Sequence, residues 1–240
     1  MILGSMKQLA AIQLVGDAMA LWLGYYWLSI GEARTGLLLW SLAVALFTAA
    51  LFVWMHGAGL ANGRDPFGFP FARALRHLPA LLAAAALVLL LYFGLSMLRD
   101  ALHNPAFHFA SWLTLKLRKP VKPTAVLRIL AAVFWIVRWI VLPSALVPWA
   151  RNIAARGFSG FVPRKSYRVW PDRLLTPPLL LVAIWLPMRL LAWHPLKNGF
   201  EIEMASFLVR AAIAYLLFVA GLLMLEGMPL FTQRKRALSP

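Results

Sequence analysis

The sequence predicts an all-α, polytopic membrane protein with about six transmembrane helices and both termini in the cytoplasm. Of its 240 residues, 62% are hydrophobic and 13% are charged, and the mean hydropathy is +0.76. A soluble domain has about 45–50% apolar and about 25% charged residues. Apolar runs long enough to cross a bilayer recur along the chain. The 24 Lys and Arg residues, against 8 Asp and Glu, lie mostly in loops and tails.

The apolar runs indicate a single transmembrane domain, 1–240, without a separate soluble domain or an internal repeat. The spans are predicted at 9–30, 37–55, 77–98, 125–149, 174–194 and 203–230. The chain contains no cysteine, which excludes disulfides and thiolate metal sites. The first apolar run has no small-residue cleavage site after it, so we expect an uncleaved helix.

The first span carries small residues at every fourth position, Gly16, Ala20 and Gly24, a pattern that lets another helix approach closely. Gln13 and Asp17 lie on or beside this face, so we expect them to point into the bundle. The short connection GEARTG makes the second span an antiparallel neighbour of the first. The third span has no charge in its interior.

Segment 103–118 follows the third span and is too short to cross the membrane comfortably. Its aromatic and lysine content favours a helix lying in the membrane interface. The alternative is a short strand, suggested by the alternation in LTLKLRK. The fifth span has Pro177 and Pro178 in its first turn and a kink predicted at Pro187.

The distribution of basic residues favours six spans. With the N-terminus inside, the cytoplasmic segments hold 13 Lys and Arg residues. The other side holds 8, counting Arg128 at the outer end of the fourth span, and 3 lie deeper within spans. A seventh span at about 101–117 would leave 10 inside against 11 outside. The positive-inside rule therefore predicts six spans in a cell inner membrane.

Asp17 is the acid placed deepest in a predicted span, and Arg138 lies in the middle of the fourth span. Their depths from the cytoplasmic side differ by a few ångströms, so an intramembrane charge pair is predicted between them. Such a pair either locks two helices together or serves as an ion relay or substrate counter-ion. The structural ion pair is the simpler interpretation, because transport pathways usually contain several acids.

A second group of charges, Arg189, Arg210 and Glu203, lies toward the outer ends of the last two spans. It is a candidate pocket for an anion or a lipid headgroup. The alternative is that the arginines extend to the interface and pair with nearby glutamates.

The loop 151–173 is the most basic of the chain and alternates cations with aromatic residues. Such a composition suits anionic headgroups or a protein partner. The alternative is an ordinary positive-inside loop. The candidate contact residues are Arg156, Phe158, Phe161, Arg164, Lys165, Tyr167, Arg168 and Trp170.

No motif indicates a cofactor or a metal. The five histidines include no pair placed for haem ligation and no HExxH spacing, although a single histidine ligand to a pigment needs no motif. The sequence contains no GxSxG, P-loop or GxGxxG, and Asp65 and Asp100 stand alone, which argues against an enzyme.

These features favour a non-enzymatic membrane subunit or scaffold that associates with other membrane proteins and with anionic lipids. It would dock through the small-residue face of the first helix, the segment Phe107–Leu117 and the loop Phe158–Trp170. A small transporter or lipid translocator that uses the intramembrane charges is the alternative, and a lipid-modifying enzyme is a weaker one. The net charge of +16 does not indicate nucleic acid, because the cations flank membrane spans.

Overall fold

A computed structural model describes residues 2–31, 34–61, 69–162, 170–193 and 200–238. Its regular structure in these ranges is helical throughout, without a strand, which confirms the all-α prediction. Six helical segments are long and apolar enough to span a membrane, as in a multi-pass membrane protein. They are Gln8–Ser29, Thr35–Ala61, Leu78–Ala101, Pro123–Phe161, Leu174–Leu191 and Phe200–Met228.

Short π-helical segments interrupt the helices in two places, at Val137–Val141 and Leu181–Trp185. A 3₁₀ segment, Gly157–Phe161, follows the helix Leu142–Arg156. In chain order the helices are α1 (Ile2–Ser29), α2 (Thr35–Ala61), α3 (Phe69–Arg76), α4 (Leu78–Ala101), α5 (His103–Leu117), α6 (Pro123–Ile136), α7 (Leu142–Arg156), α8 (Trp170–Leu180), α9 (Leu186–Leu191) and α10 (Phe200–Leu238).

Helix α2 is longer than the predicted span 37–55 and ends only at Ala61. The two glycines in this extra stretch do not end the helix, because neighbouring helices pack closely against them. A Cβ on Gly57 would lie 2.6 Å from the Leu81 side chain, and a Cβ on Gly59 would overlap the carboxylate of Glu226. The extension brings His56 into the apolar segment.

The fourth span also exceeds its prediction, since helical structure continues from Pro123 to Phe161. These 39 residues would extend about 58 Å at 1.5 Å per residue, well beyond the roughly 30 Å hydrocarbon core. The first part of the predicted loop 151–173 is therefore helical, as α7 and the 3₁₀ segment. Prolines follow both π segments, at Pro143 and Pro187, where the missing backbone N–H disturbs the regular hydrogen bonding.

Segment 103–118 is a helix, α5, and not a strand. Its C-cap residue Arg118 has the positive φ of 51° that reverses the chain toward α6. The Val121 backbone N–H donates to Oγ1 of Thr114 at 3.0 Å and fixes this reversal. Helix α5 packs against α4 and α6. Its position in the membrane interface stays a prediction.

The densest packing lies at one end of the bundle, where the end of α2, α3, the beginning of α4 and the end of α7 meet. Small side chains dominate this core, including Ala58, Ala74 and Ala154, which are fully buried. Two tryptophans pack at the edge of this core. The Trp54 indole donates to the Phe71 carbonyl at 2.9 Å, and the Trp149 indole donates to the Phe161 carbonyl at 3.3 Å. Elsewhere many large apolar side chains are exposed, as expected of surfaces that face lipid.

Candidate functional site

Three ionisable side chains from three helices meet in a line at the packed end of the bundle. Nε2 of His56 on α2 lies 3.1 Å from Oδ1 of Asp17 on α1. Nδ1 of the same imidazole lies 3.0 Å from Oε1 of Glu226 on α10. Asp17 and Glu226 are each 2% exposed. We call this group the Asp17–His56–Glu226 triad.

Neighbouring residues fix the position of the triad. The side-chain amide of Gln13, one helical turn before Asp17, donates to Oε2 of Glu226 and is itself buried. The absence of a side chain at Gly59 leaves room for the Glu226 carboxylate against α2. The Phe52 ring packs on the imidazole with 4.2 Å between ring centroids. The triad is therefore surrounded by apolar and amide groups.

Two further contacts hold the helices around the triad. The guanidinium of Arg151 on α7 donates to the Leu225 carbonyl, next to Glu226. The hydroxyl of Tyr215 on α10 donates to the Leu14 carbonyl on α1. Helix α10 is thereby connected to α7 on one side and to α1 on the other.

The geometry of the triad permits a proton to move between its carboxylates. An ionised carboxylate only accepts hydrogen bonds, so an imidazolium can donate to both Asp17 and Glu226. If one carboxyl group takes the proton, it donates to a neutral imidazole, and the number of protons in the triad stays the same. Histidine exchanges protons through both ring nitrogens, which are distinct. The triad is chemically a short proton relay.

The triad does not form a metal site, because its two carboxylates face opposite edges of the imidazole and do not converge on one point. Among the described residues, no group of three or more His, Asp or Glu side chains is arranged to hold a metal ion. Ion pairing and proton exchange are the chemistry that this arrangement supports.

The structure does not bring Asp17 and Arg138 together. Asp17 pairs with His56, whereas the Arg138 guanidinium lies over the rings of Tyr92 and Trp139, at 5.6 and 5.8 Å from their centroids. The physical reason is the packing of the helices. Helix α1 packs against α2 and α10, whereas the fourth span, which carries Arg138, packs against α2, α4 and α8. Similar depth in the membrane was not sufficient to predict contact.

Arg138 lies in the π segment Val137–Val141, and this segment exposes a backbone carbonyl. The Leu142 N–H bonds to the Val137 carbonyl, so in the same register the donor to the Arg138 carbonyl would be Pro143, which has no N–H. The hydroxyl of Tyr92 on α4 donates to this carbonyl at 2.9 Å. Tyr92 therefore connects α4 to the irregular part of the fourth span.

The predicted anion pocket is not assembled as one site. The Arg210 guanidinium donates to the carbonyls of Leu190, Leu191 and Trp193 at the end of α9, where it satisfies the free carbonyls of a helix C-terminus. Arg189 is exposed, with its guanidinium 5.4 Å from the Trp185 ring centroid, and Glu203 is exposed. Arg210 thus has a structural role in the packing of α9 on α10.

The small-residue face of α1 is turned toward α2 within the chain. A Cβ on Gly16 would overlap the Met55 side chain. Ala20 and Gly24 line a cavity between the two helices, and a Cβ on Gly24 would meet no atom within 4 Å. This face therefore contacts α2 directly at Gly16 and lines the cavity at Ala20 and Gly24.

Only part of the predicted basic loop lies within the described residues. Arg156 ends α7 and donates from Nε to Oδ1 of Asn152 at 2.6 Å. Asn152 is buried and donates to the Gly160 carbonyl at 2.5 Å, which shapes the 3₁₀ segment. Phe158 is exposed and stacks on Phe161, with 6.1 Å between their ring centroids. Residues Arg164, Lys165, Tyr167 and Arg168, and the side chain of Trp170, lie outside the part that is described.

Within the described ranges, the other histidines and Asp100, considered for cofactor binding or catalysis, do not form a second cluster with the triad residues. Both nitrogens of His56 face carboxylates, so neither ring nitrogen is directed toward a pigment. His77 lies against Gly157, and His103 packs on Phe107 at 5.3 Å between centroids. Asp100 is exposed and pairs with the adjacent Arg99, and Asp65 lies outside the described residues.

His56 and Glu226 were not predicted as site residues. The predicted second span ends at Met55, which leaves His56 in the following loop, and a single acid near the end of the last span gives no reason to select Glu226. If the second span is extended to Ala61, His56 lies five residues from its end, on the same side of the membrane as Glu226. The sequence signal that could have predicted this site is the presence of polar residues near the ends of different spans on the same side of the membrane.

Comparisons with protein-family models, with curated proteins and with solved structures give no match to this chain. The function therefore has to be argued from the geometry of the site.

Proposed function

We propose that the protein is a proton-linked membrane carrier in which the Asp17–His56–Glu226 triad binds and releases the coupling proton. The observation that carries this proposal is the position of His56, with both ring nitrogens within 3.1 Å of buried carboxylates from two other helices. Ionisable groups buried between membrane helices are costly and are characteristic of ion and proton pathways. The proposal develops the transporter alternative, with His56 and Glu226 in place of Arg138.

The arrangement of helices supports such a cycle. The triad joins α1, α2 and α10, so a change in its protonation alters the attraction between these three helices. A protonated Glu226 would lose its ionic contact with His56, and α10 would then be held to α1 by weaker hydrogen bonds. Alternating access in carriers is commonly a motion of one helix group against another around such a site.

The proposed setting is a cell inner membrane with both termini in the cytoplasm. The support is the excess of basic residues in the segments that would face the cytoplasm, 13 against 8. In this orientation the triad lies in the cytoplasmic half of the membrane, and α5 lies at the outer interface.

The experiment that tests the carrier uses proteoliposomes loaded with a pH-sensitive dye. A pH gradient is imposed, and organic cations, organic anions and zwitterionic solutes are added in turn. We expect one class of solute to collapse the gradient in the presence of the wild-type protein. Asp17→Asn and Glu226→Gln should each abolish this flux, because either change removes an end of the relay.

Glu201→Gln is the matched control, since Glu201 is an exposed glutamate on the same helix as Glu226. It should keep the wild-type flux. Proton flux equal to that of empty liposomes with every class of solute would refute the carrier. Wild-type flux in well-folded Glu226→Gln would likewise remove the relay from the mechanism and leave the triad as a structural contact.

A subunit or scaffold that associates with membrane proteins and anionic lipids is the second candidate function. The observation in its favour is the aromatic surface of α5, where the exposed rings of Phe109 and Trp112 stack at 5.6 Å and the Lys116 ammonium lies 4.9 Å from the Trp112 ring. Exposed aromatic residues with an adjacent cation suit a headgroup region or a partner helix.

Purification in mild detergent from the native membrane tests this second candidate. It predicts a stoichiometric protein partner that is lost on replacing Phe109 and Trp112 by serine and is kept on replacing Phe93, an exposed residue of α4, by serine. A solitary protein with bound lipid alone would contradict the subunit role.

A further inference from the structure

A cavity of about 370 Å³ lies between α1 and α2, and α10 closes one side of it. Its volume is in the range of pockets that hold small ligands. The wall is almost entirely apolar and includes the aromatic side chains of Trp27, Phe52 and Phe218. Asp17 is the single charged residue among the described residues that line it.

Asp17 connects this cavity to the triad. Its Oδ1 faces His56 at 3.1 Å, whereas its Oδ2 is buried and has no hydrogen-bond partner among the described residues. A buried carboxylate oxygen without a hydrogen-bond donor is energetically unfavourable. A ligand that brings a donor to Oδ2 would remove this cost.

We propose that the cavity between α1 and α2 binds a lipophilic cation, with its ammonium group at Asp17 and its apolar body among Trp27, Phe52 and Phe218. This deepens the proposed function by naming the substrate class of the same site, and it rests on that function only for the coupling to protons. The ammonium N–H groups donate to Oδ2 of Asp17, and the aromatic faces add cation–π attraction.

The other classes of ligand fit less well. An organic anion would place two like charges together in an apolar surrounding, without a cation in the cavity wall to compensate. A neutral ligand without an O–H or N–H donor would leave the Asp17 oxygen unpaired, and a neutral hydroxyl donates a weaker hydrogen bond to a carboxylate than an ammonium does. The hydroxyl of Thr48, which also lines the cavity, already donates to the Val44 carbonyl at 2.8 Å, so Asp17 is the polar group that selects the ligand.

Three ligands with the same adamantane cage test the charge preference. They are 1-adamantylammonium, the neutral 1-adamantanol and the anion 1-adamantanecarboxylate, and their binding to the purified protein in detergent is measured by isothermal titration calorimetry. We expect the ammonium to bind at least about tenfold more tightly than the alcohol, which corresponds to about 1.4 kcal/mol. The carboxylate should show no binding above that of empty micelles.

Two variants and one control locate the binding. Asp17→Asn should lower the affinity for the ammonium by at least about tenfold and leave that for the alcohol unchanged. Gly24→Leu should abolish binding of both ligands, because its side chain would occupy space in the cavity, where a Cβ meets no atom within 4 Å. Gly94→Leu on α4 is the control, since a Cβ there also meets no atom within 4 Å but lies outside the cavity.

The outcomes separate this inference from the proposed function. Equal affinity for the ammonium and the alcohol, or unchanged ammonium binding in Gly24→Leu, would overturn the cation site. If the cation site fails while another solute still drives Glu226-dependent proton flux, the carrier proposal stands. If the ammonium binds as expected but drives no proton flux, the site stands and the coupling to the triad does not. Gly24→Leu keeps the test valid if Asp17→Asn does not fold.

Discussion

At the scale of single residues, buried polar side chains from different helices pair with one another at the triad. Gln13 and Asp17 share one face of α1 and approach α10 and α2, respectively, through side-chain hydrogen bonds. His56 connects the two carboxylates, and each of the three ionisable groups would be costly alone in lipid. The triad therefore joins α1, α2 and α10 through side-chain hydrogen bonds.

The Glu226 carboxylate should contribute measurably to stability. Glu226→Gln keeps the shape of the side chain but removes its negative charge, and with it the ionic hydrogen bond to His56. We therefore expect the free energy of unfolding to fall by about 1–3 kcal/mol. Titration with SDS in mixed micelles, followed by circular dichroism, measures this change. Glu201→Gln, at an exposed position, should stay within about 0.5 kcal/mol of wild type. Equal stability of both variants would mean that the triad does not hold α10.

Gly59 is required because the carboxylate of Glu226 occupies the place of its side chain. Gly59→Ala should displace this carboxylate and destabilise the protein by about 1–3 kcal/mol, as in other overpacked sites. On the same helix, Gly36→Ala meets no atom within 4 Å and should be neutral or stabilising by up to about 1 kcal/mol. The same SDS titration compares them, and equal effects would contradict the close approach.

At the scale of elements, prolines determine where the spans depart from regular α-helix. Pro143 and Pro187 each follow a π segment, and each removes one backbone donor from its helix. In the fourth span the Arg138 carbonyl is left for Tyr92, a residue of α4. The irregular segment of the fourth span is therefore connected to α4 by this hydrogen bond.

The contribution of Tyr92 should depend on Pro143. Tyr92→Phe removes the donor to the Arg138 carbonyl and should cost about 0.5–1.5 kcal/mol. In a Pro143→Ala background, the restored backbone N–H can satisfy the fourth span internally, so the cost of Tyr92→Phe should become smaller. A double-mutant cycle measures this coupling. Tyr25→Phe, at a residue 74% exposed, is the control, and additive effects of the two substitutions would contradict the assignment.

At the scale of the whole molecule, the bundle is packed tightly at one end and loosely elsewhere. The buried alanines and the triad share the packed end, where the fourth span continues past Trp149 as α7. Large apolar side chains such as Leu89, Leu90 and Phe93 remain exposed along α4, as expected of a lipid-facing surface. Asp17, His56 and Glu226 are thus grouped at the packed end, away from this exposed apolar surface.

The proposed topology can be measured directly because the chain contains no cysteine. A membrane-impermeant maleimide added to intact cells should label Gly31→Cys and Ser111→Cys but not Ser159→Cys. After permeabilisation, all three should react, since these positions are exposed. Labelling of Ser159→Cys from outside would support the seventh span and would refute the six-span topology.

The sequence alone predicted the all-helical class and the six apolar segments, because apolar run length depends only on local composition. It also predicted that Gln13 and Asp17 are buried, since both lie beside a small-residue face. The helix ends at Ala61 and Phe161 were missed, because glycines and basic residues resemble loop signals until their neighbours are known.

Only the tertiary structure decided which polar residues meet. Depth in the membrane can be calculated from the sequence, and it placed Asp17 and Arg138 at similar levels. The neighbours of α1 depend on the packing of all six spans, and this packing places His56 and Glu226 beside Asp17 and Tyr92 beside Arg138. Partners separated by up to 170 residues leave no local pattern in the chain, so their contact is a property of the folded molecule.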